Sequence, residues 1–586
     1  MIHTDLSSPR TSAVASSKPA VYQRRNRLAA AALATLTLVV LVSSAPRIGY
    51  VRDEGIYFEA SRHYGAWISE VLHDPAKVFD ARSRDRAFRI NHEHPALMKM
   101  AAGISARLLA RPSNVAHKAS DKRVPADPGG LIPVMDEGAA MRLPAQMLAG
   151  FGVFLLFLAG RRLGRGTLAG LLAAGWFILL PRVVFNASLH TFDVPIAVAT
   201  LMVVLAYRRS LESARWGLML GPILGIAIAI KHNALFVGVL LALHYLACLI
   251  LGRFRGNPIR RGQWIPLPLL SMATLAPITA IALWPWLWHD TFTRIAKYFA
   301  FHSEHSYYNM EFMAVNYNRP PLPWTYSAVM TWATVPTVLL VLSLFGLGIA
   351  VVNDFCKSAP ERDRAATLPG VEARWFRPLP ARWPHGEGIL LLLFSSFPLV
   401  LIALPSVPIF GGTKHWLTAY PFLALAAAVA WSRLWSTRSL RGVWRGAPAC
   451  ALVWVLGPGC WSSLHGHPYN LSQYSPLVGG ARGAASLGLN RGFWGHAVVG
   501  LMNQDFVGSI YLHDIHPLAV RQYQREGRWP QWKGASVKRS HAGLLFHELH
   551  TTSERTQLWQ TLGTTAPDAI IALDDVPLTS LYRRTP

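Results

Sequence analysis

Arg52-Asp53-Glu54-Gly55-Ile56-Tyr57 follows closely on the first apolar segment, 28–45. Its two adjacent carboxylates therefore stand within a few residues of a membrane surface. Carboxylates are costly near hydrocarbon, which makes an acidic pair there a functional candidate. A local reading is also open. Asp is a good N-cap, and an apolar-periodic run comes next.

The chain around this stretch is built for lipid. Of its 586 residues, 52% are hydrophobic and 15% charged, against about 25% charged in soluble proteins. The net charge of +26 raises nucleic acid as a partner, but its distribution argues against that. Much of the excess Arg sits in short connections between apolar spans, as the positive-inside rule requires. Cys248, Cys450 and Cys460 lie in or beside apolar stretches and Cys356 in a basic loop, with no CxxC pair. A disulfide framework or zinc site is not expected.

Residues 1–23 are Ser/Pro/Ala-rich and read as a disordered cytoplasmic N-terminus. Arg24, Arg25 and Arg27 precede the run 28–45, which is either a signal peptide ending near Ser43-Ser44-Ala45 or a retained first helix. Both readings put residue 46 outside. The core, 24–464, then has a first external loop, 46–141, and a second, 289–325. In the first loop Ile56, Ala60, Tyr64, Trp67, Ile68 and Val71 share one helical face, which predicts an interfacial helix over 54–72. A second helix is expected from Pro95, and 111–137 reads as a loop. The remaining spans are 142–160, 166–185, 194–207, two within 216–252, 265–288, 326–352, 388–405, 415–431 and 447–464. With the first segment this makes about eleven transmembrane helices, and every cytoplasmic connection so placed holds at least three basic residues. The tail 465–586 reads as a small extracytoplasmic α/β domain, with strand-like Gly508–Leu512 and Ala569–Leu573 and helix-like Thr551–Leu562.

This topology gathers chemistry on the outer face. Asp53 and Glu54 are joined there by His92-Glu93-His94, Lys99, Arg142, His190, Asp193, Lys231, His302, His305, Tyr307, Tyr308, Lys414 and His415. A carboxylate suits the removal of a proton from an attacking hydroxyl. Cationic side chains suit a leaving phosphate that gains charge. Other readings stand beside these. Lys99 suits snorkelling to headgroups, and Asp193 suits capping its own helix. His302, His305 and the tyrosines suit interfacial anchoring, and His92-Glu93-His94 suits a metal, although alternate residues rarely supply a full site. Lys231 inside an apolar hairpin needs water or an anion.

Asp53-Glu54 after the first span, His94-Pro95-Ala96-Leu97-Met98-Lys99, Arg142-Leu143-Pro144 and Asp193 ahead of an inward span resemble the protein O-mannosyltransferase group. This is glycosyltransferase family 39 with its bacterial relatives, including aminoarabinose transferases acting on lipid A. The resemblance covers roughly residues 28–430 and rests on the order of short motifs. It implies a multi-span fold of GT-C type and an inverting enzyme that uses a polyprenyl-phosphate sugar donor. It implies Asp53 as catalytic base and Asp193 as a support for the second external loop of the site; with Glu54, which adjoins the base, these make up the expected catalytic set. Lys99 and Arg142 would contact the donor phosphate, helped by Lys231, Lys414 and His415. His94, His302, His305, Tyr307 and Tyr308 would be further substrate contacts. Ala96 replaces the usual second Pro, the insert 111–137 is not expected, and no β-trefoil is visible, so the acceptor stays open between lipid, glycan and protein. No resident metal is assigned, although a divalent cation is compatible. The expected setting is the inner membrane, with the active site and tail extracytoplasmic. The alternative class is a transporter or lipid flippase, which calls for mid-membrane charges and paired repeats; neither is visible here.

Overall fold

The computed structural model describes residues 17–113, 129–254, 266–304, 307–356, 386–409, 411–435, 446–489, 495–513 and 515–584. The long apolar runs form helices, and these pack side by side. Six described helices are long and apolar enough to cross a membrane: Arg24–Arg47, Glu137–Leu163, Ala234–Phe254, Thr337–Phe355, Gly412–Trp435 and Ala447–Gly466. Thr167–Ile178 and Pro181–Ala187 make a seventh if a pair bent by 71° counts as one span. The expected count of about eleven is not reached by this measure. The other expected spans fall on Ala214–Ile230, Leu267–Ala282 and Glu387–Ala403, which are shorter apolar helices, and on Asp193–Ser210, which carries Asp193 in its first turn and Arg208 and Arg209 in its last. At 1.5 Å per residue such helices run about 24–27 Å, short of a hydrocarbon core of about 30 Å.

The outward faces of the long helices are apolar. Leu36, Val39, Leu246, Val341, Phe345, Val453 and Trp454 are exposed, a surface suited to lipid and not to water. The chain is a multi-pass helical membrane protein.

The first external loop is mostly helical. Arg52–His73 and Leu97–Leu109 cross where Gly65 meets Gly103; a Cβ on Gly103 would fall 2.3 Å from the Ser61 carbonyl oxygen. Tyr64 and Trp67, on the apolar face read from the sequence, are buried with Phe88, Trp284 and Leu287. The second helix begins at Leu97, not Pro95, because Pro95 and Ala96 belong to the preceding turn. Residues 114–128 of the expected loop lie outside the described residues, and its flanks join through a bridge between Ala110 and Met135.

In the second external loop, strands β1 (Met310–Phe312) and β2 (Val315–Tyr317) form an antiparallel hairpin. The tail contains β3 (Gly508–Leu512), β4 (Trp532–Gly534), β5 (Ala542–Phe546), β6 (Ala569–Leu573) and β7 (Val576–Arg583). They form one mixed sheet in the order β4-β3-β5-β7-β6. Strand β3 runs parallel to β4 and β5, and β7 is antiparallel to β5 and β6. This is the small C-terminal sheet domain expected from the sequence.

The sheet domain is docked on the first loop. Its helix Pro517–Arg525 lies so close to Arg52–His73 that a Cβ on Gly55 would sit 2.5 Å from the Ala519 amide nitrogen. Buried Glu137 accepts from Arg62 at 2.8 Å, Arg525 at 2.9 Å and Gln522 at 3.1 Å. The Tyr50 hydroxyl donates to Glu526. The docking fixes where the domain's polar side chains can reach.

Candidate active site

Asp53 and Glu54 have separate jobs. Both lie in the first turn of Arg52–His73. Glu54 supplies the helix-start bond by accepting the Val51 N–H at 3.2 Å, a capping-box contact. It also accepts from Arg142 Nε and Nη2, each at 2.7 Å, and from the His190 N–H at 2.8 Å. The remaining Arg142 N–H groups donate to the carbonyls of Ala45, Ile48 and Gly49 at 2.9, 3.0 and 3.1 Å. A guanidinium has five N–H groups, and all five are engaged here. The pair is buried, and Tyr50 lies under the cation at 4.9 Å. Arg142 has no N–H left for a phosphate, and Glu54 has no access to a substrate. Their expected donor and catalytic contacts therefore find no place in this arrangement. Both position the turn that carries Asp53.

Lys99 is likewise spent on structure. Its buried Nζ donates to both the backbone and side-chain oxygens of Asn91 and to the His94 carbonyl, the last two at 2.9 and 3.0 Å. An ammonium has three donors, so none remains for a donor phosphate. Burial pushes its pKa down to about 7, because desolvation disfavours the charged form. Lys99 holds the Asn91–His94 turn, in which Asn91 has the positive φ of 56°.

Freed from capping, Asp53 turns to a cavity of about 460 Å³. Its Oδ2 accepts from Lys414 Nζ at 3.0 Å. Asp193 is the first residue of its helix and not the N-cap, which is Phe192; its Oδ1 accepts from Lys231 Nζ at 2.7 Å. Two carboxylate–lysine pairs thus line one space, each built from distant segments.

Between them stands an imidazole cluster. The His232 and His302 rings are 4.3 Å apart, and His94 and His302 5.8 Å. His302 Nε2 lies 3.0 Å from the Glu93 carbonyl. Burial, then Lys99 and the neighbouring histidines, hold His94 well below the ordinary imidazole range. Its Nδ1 has no partner among the described residues. Tyr57 packs edge-on against His94, and burial with nearby Asp53 and Asp193 pushes its hydroxyl up, so it remains a donor.

Of the residues expected at the site, Asp53, Asp193, Lys231, Lys414, His415, His94, His302 and Tyr308 line the cavity. Glu54, Lys99 and Arg142 stand behind it. The Tyr307 hydroxyl donates to the Ser406 carbonyl at 2.8 Å, and His305 lies outside the described residues. The expected His92-Glu93-His94 pairing divides: His92 packs on Trp286 while His94 faces the cavity.

Several lining residues were given no role in the sequence reading: Arg52, Tyr57, His232 and Asn233 from the core, and His516, Glu548 and His550 from the tail. His232 and Asn233 did carry a signal, standing next to Lys231 in an apolar hairpin. The tail residues carried none. Glu311, Glu548 and His550 each offer a donor atom within 4.8 Å of the others. Two carboxylates and one imidazole fit a divalent cation.

A narrow apolar slot of about 40 Å³ adjoins the cavity, lined by Phe236, Val237, Leu240, Phe394, Phe397 and Leu401 among others. It shares Asn233 and His415 with the cavity. A polar space and an apolar one thus have a common wall.

The fold is similar to solved structures at low identity. ArnT from Cupriavidus metallidurans in the apo state is 15% identical with a TM-score of 0.45, covering 94% of this chain and 97% of that one. The same protein bound to undecaprenyl phosphate is 14% identical with a TM-score of 0.45, covering 93% and 96%. The apo oligosaccharyltransferase of Archaeoglobus fulgidus is 12% identical with a TM-score of 0.43, covering 92% of this chain and 71% of that one. No sequence family matches the chain, and no curated protein does.

Proposed function

We propose that the protein is an integral membrane glycosyltransferase. It moves a sugar from a polyprenyl-phosphate donor to a hydroxyl of a lipid, glycan or protein acceptor, with inversion, on the extracytoplasmic side of the inner membrane. The observation that carries this reading is Asp53, 3.0 Å from Lys414, in a cavity that is also lined by Arg52 and Lys231 and shares two residues with an apolar slot. The slot offers a lipid chain a way out of the bilayer while its phosphate meets the cations. The shorter helices are read as crossing too, with bilayer thinning or snorkelling flanks taking up the mismatch.

The chemistry is a single displacement. The acceptor oxygen bonds to sugar C1 as the C1–O bond to phosphate breaks, so the anomeric configuration inverts. Asp53 takes the acceptor proton. The phosphate leaves with the bonding electrons, and its growing charge is met by Lys231 and the His94–His232–His302 cluster. Asp193 orients Lys231. A divalent cation at Glu311, Glu548 and His550 would add a Lewis acid at the cavity edge.

Asp53→Asn keeps the shape and removes the base. Supplied with polyprenyl-phosphate sugars, this variant is expected to lose transfer by about 10²–10⁴-fold while inserting normally in the membrane. Full transfer by the variant would refute the base assignment.

A further inference from the structure

Tyr57 follows Asp53 by one turn of Arg52–His73, and residues at that spacing share a helix face. It lines the same cavity as Asp53, Asp193 and Lys231. Its ring is held on several sides. Phe192, the residue before Asp193, packs on it with ring centres 4.5 Å apart, and His94 and His190 meet it edge-on at 6.2 and 6.0 Å. The ring therefore ties the Asp53 helix to the start of the Asp193 helix. A tyrosine hydroxyl inside a protein usually has a partner. Those of Tyr50 and Tyr64 donate to Glu526 and to the Ile90 carbonyl, at 2.7 and 2.8 Å. Among the described residues nothing hydrogen-bonds the Tyr57 hydroxyl. Burial, then the charges of Asp53, Asp193 and Glu93, push its pKa up, so it faces the cavity as a neutral donor with its proton unspent.

A neutral donor helps a displacement at one kind of atom. The acceptor oxygen and the sugar ring oxygen both lose electron density as the reaction proceeds, and a hydrogen bond donated to either would oppose it. The oxygen that bridges C1 and phosphorus gains the electron pair of the breaking bond. A donor aimed there binds the transition state more strongly than the ground state. Lys231, paired with Asp193 at 2.7 Å, is a point charge suited to the outer phosphate oxygens. The bridging oxygen lies between those oxygens and the base. Tyr57 belongs to the helix of one carboxylate–lysine pair and packs against the start of the helix that carries the other, which sets it on that path.

We propose that Tyr57 is a catalytic residue, whose hydroxyl donates a hydrogen bond to the oxygen bridging sugar C1 and the donor phosphate; this rests on the transferase reading above. The C1–O bond breaks, its electron pair stays on that oxygen, and polyprenyl phosphate leaves. Tyr57 keeps its proton throughout, because a phosphate monoester gives up its last proton at about pH 6 and a phenol at about pH 10.

The test uses the full-length protein in membranes of its own host cells, which hold the acceptor, supplied with polyprenyl-phosphate pentoses and hexoses. Release of polyprenyl phosphate is followed in single turnovers. Tyr57→Phe keeps the ring and its packing on Phe192. It is expected to lower kcat by about 10²–10³-fold, the usual cost of one such donor, with donor KM and Tm near those of the parent. Mono- and difluorotyrosine placed at position 57 have more acidic hydroxyls and should raise kcat in the order of their acidity, which a packing role would not do. If Tyr57→Phe does not fold, the fluorotyrosine series decides. Parental kcat in Tyr57→Phe, a change in donor KM alone, or a kcat indifferent to ring acidity would overturn the role of Tyr57 and leave the transferase reading standing. A parent protein that releases polyprenyl phosphate from none of these donors would overturn both.

Discussion

At the scale of single residues, the site depends on which cations are already spent. Arg142 has all five N–H groups engaged and Lys99 all three, whereas Lys231 and Lys414 hold carboxylates that face the cavity. Arg142→Ala should therefore act on stability. It leaves Glu54 buried without its partner, and breaking such a pair costs about 3–5 kcal/mol. Thermal melts should show the loss, while the donor KM of the protein that still folds stays near that of the parent. A large rise in donor KM at unchanged Tm would return Arg142 to the phosphate.

Lys99 gives a prediction in pH. Its folded pKa is about 7 and its unfolded one about 10.4. Between these values the unfolded chain holds a proton that the folded chain lacks, so stability rises with pH across that window. Below about pH 7 both states are protonated and the burial cost stands in full. Lys99→Met removes this dependence. Between pH 7 and 9 the Tm of the parent should gain on that of the variant; parallel curves would show that Lys99 stays charged. The sequence made both residues visible as cations near the outer face. It did not show their roles, because bond saturation depends on carbonyls such as Ala45, Ile48 and Asn91 that reach them only when the loop folds.

At the scale of elements, helix positions were the most legible part. Apolar length marked the helices, and Asp53 was conspicuous by following the first of them. The span count was less legible, because Asp193–Ser210 and Leu267–Ala282 are cut short by polar ends or proline-rich flanks. Close helix crossings were also hidden, since a glycine shows its packing role only beside its neighbour. Gly103 is the clearest case. In Gly103→Ala the new methyl would lie 2.3 Å from the Ser61 carbonyl and 2.8 Å from the Gly65 amide nitrogen. Both are backbone atoms, so the helices must separate. Overpacking of this kind costs about 1–3 kcal/mol. The expected readout is a lower Tm together with reduced activity, since Arg52–His73 carries Asp53 and Leu97–Leu109 carries Lys99. An unchanged Tm would mean that the two helices separate without cost.

At the scale of the whole molecule, the tail was legible as an α/β domain but not as part of the site. Its strands announce themselves by alternating with turns, whereas His516, Glu548 and His550 look like ordinary polar loop residues until the domain docks. Docking buries Tyr50, Phe58, Met141, Ala519, Tyr523 and Leu544 in one apolar cluster shared by core and tail. It also gives Glu137 two of its three partners, Arg525 and Gln522. A chain ending at residue 466 would expose that cluster, leave Glu137 with Arg62 alone, and open the cavity to water on the side that His516, Glu548 and His550 now close. Water admitted there would screen the charges that a leaving phosphate needs. The truncated chain should therefore insert in membranes yet consume no polyprenyl-phosphate sugar, neither by transfer nor by hydrolysis. His550→Ala in the full chain should weaken activity with little change in Tm. Donor consumption by the truncated chain at the full-length rate would remove the tail from the site and confine the chemistry to the core.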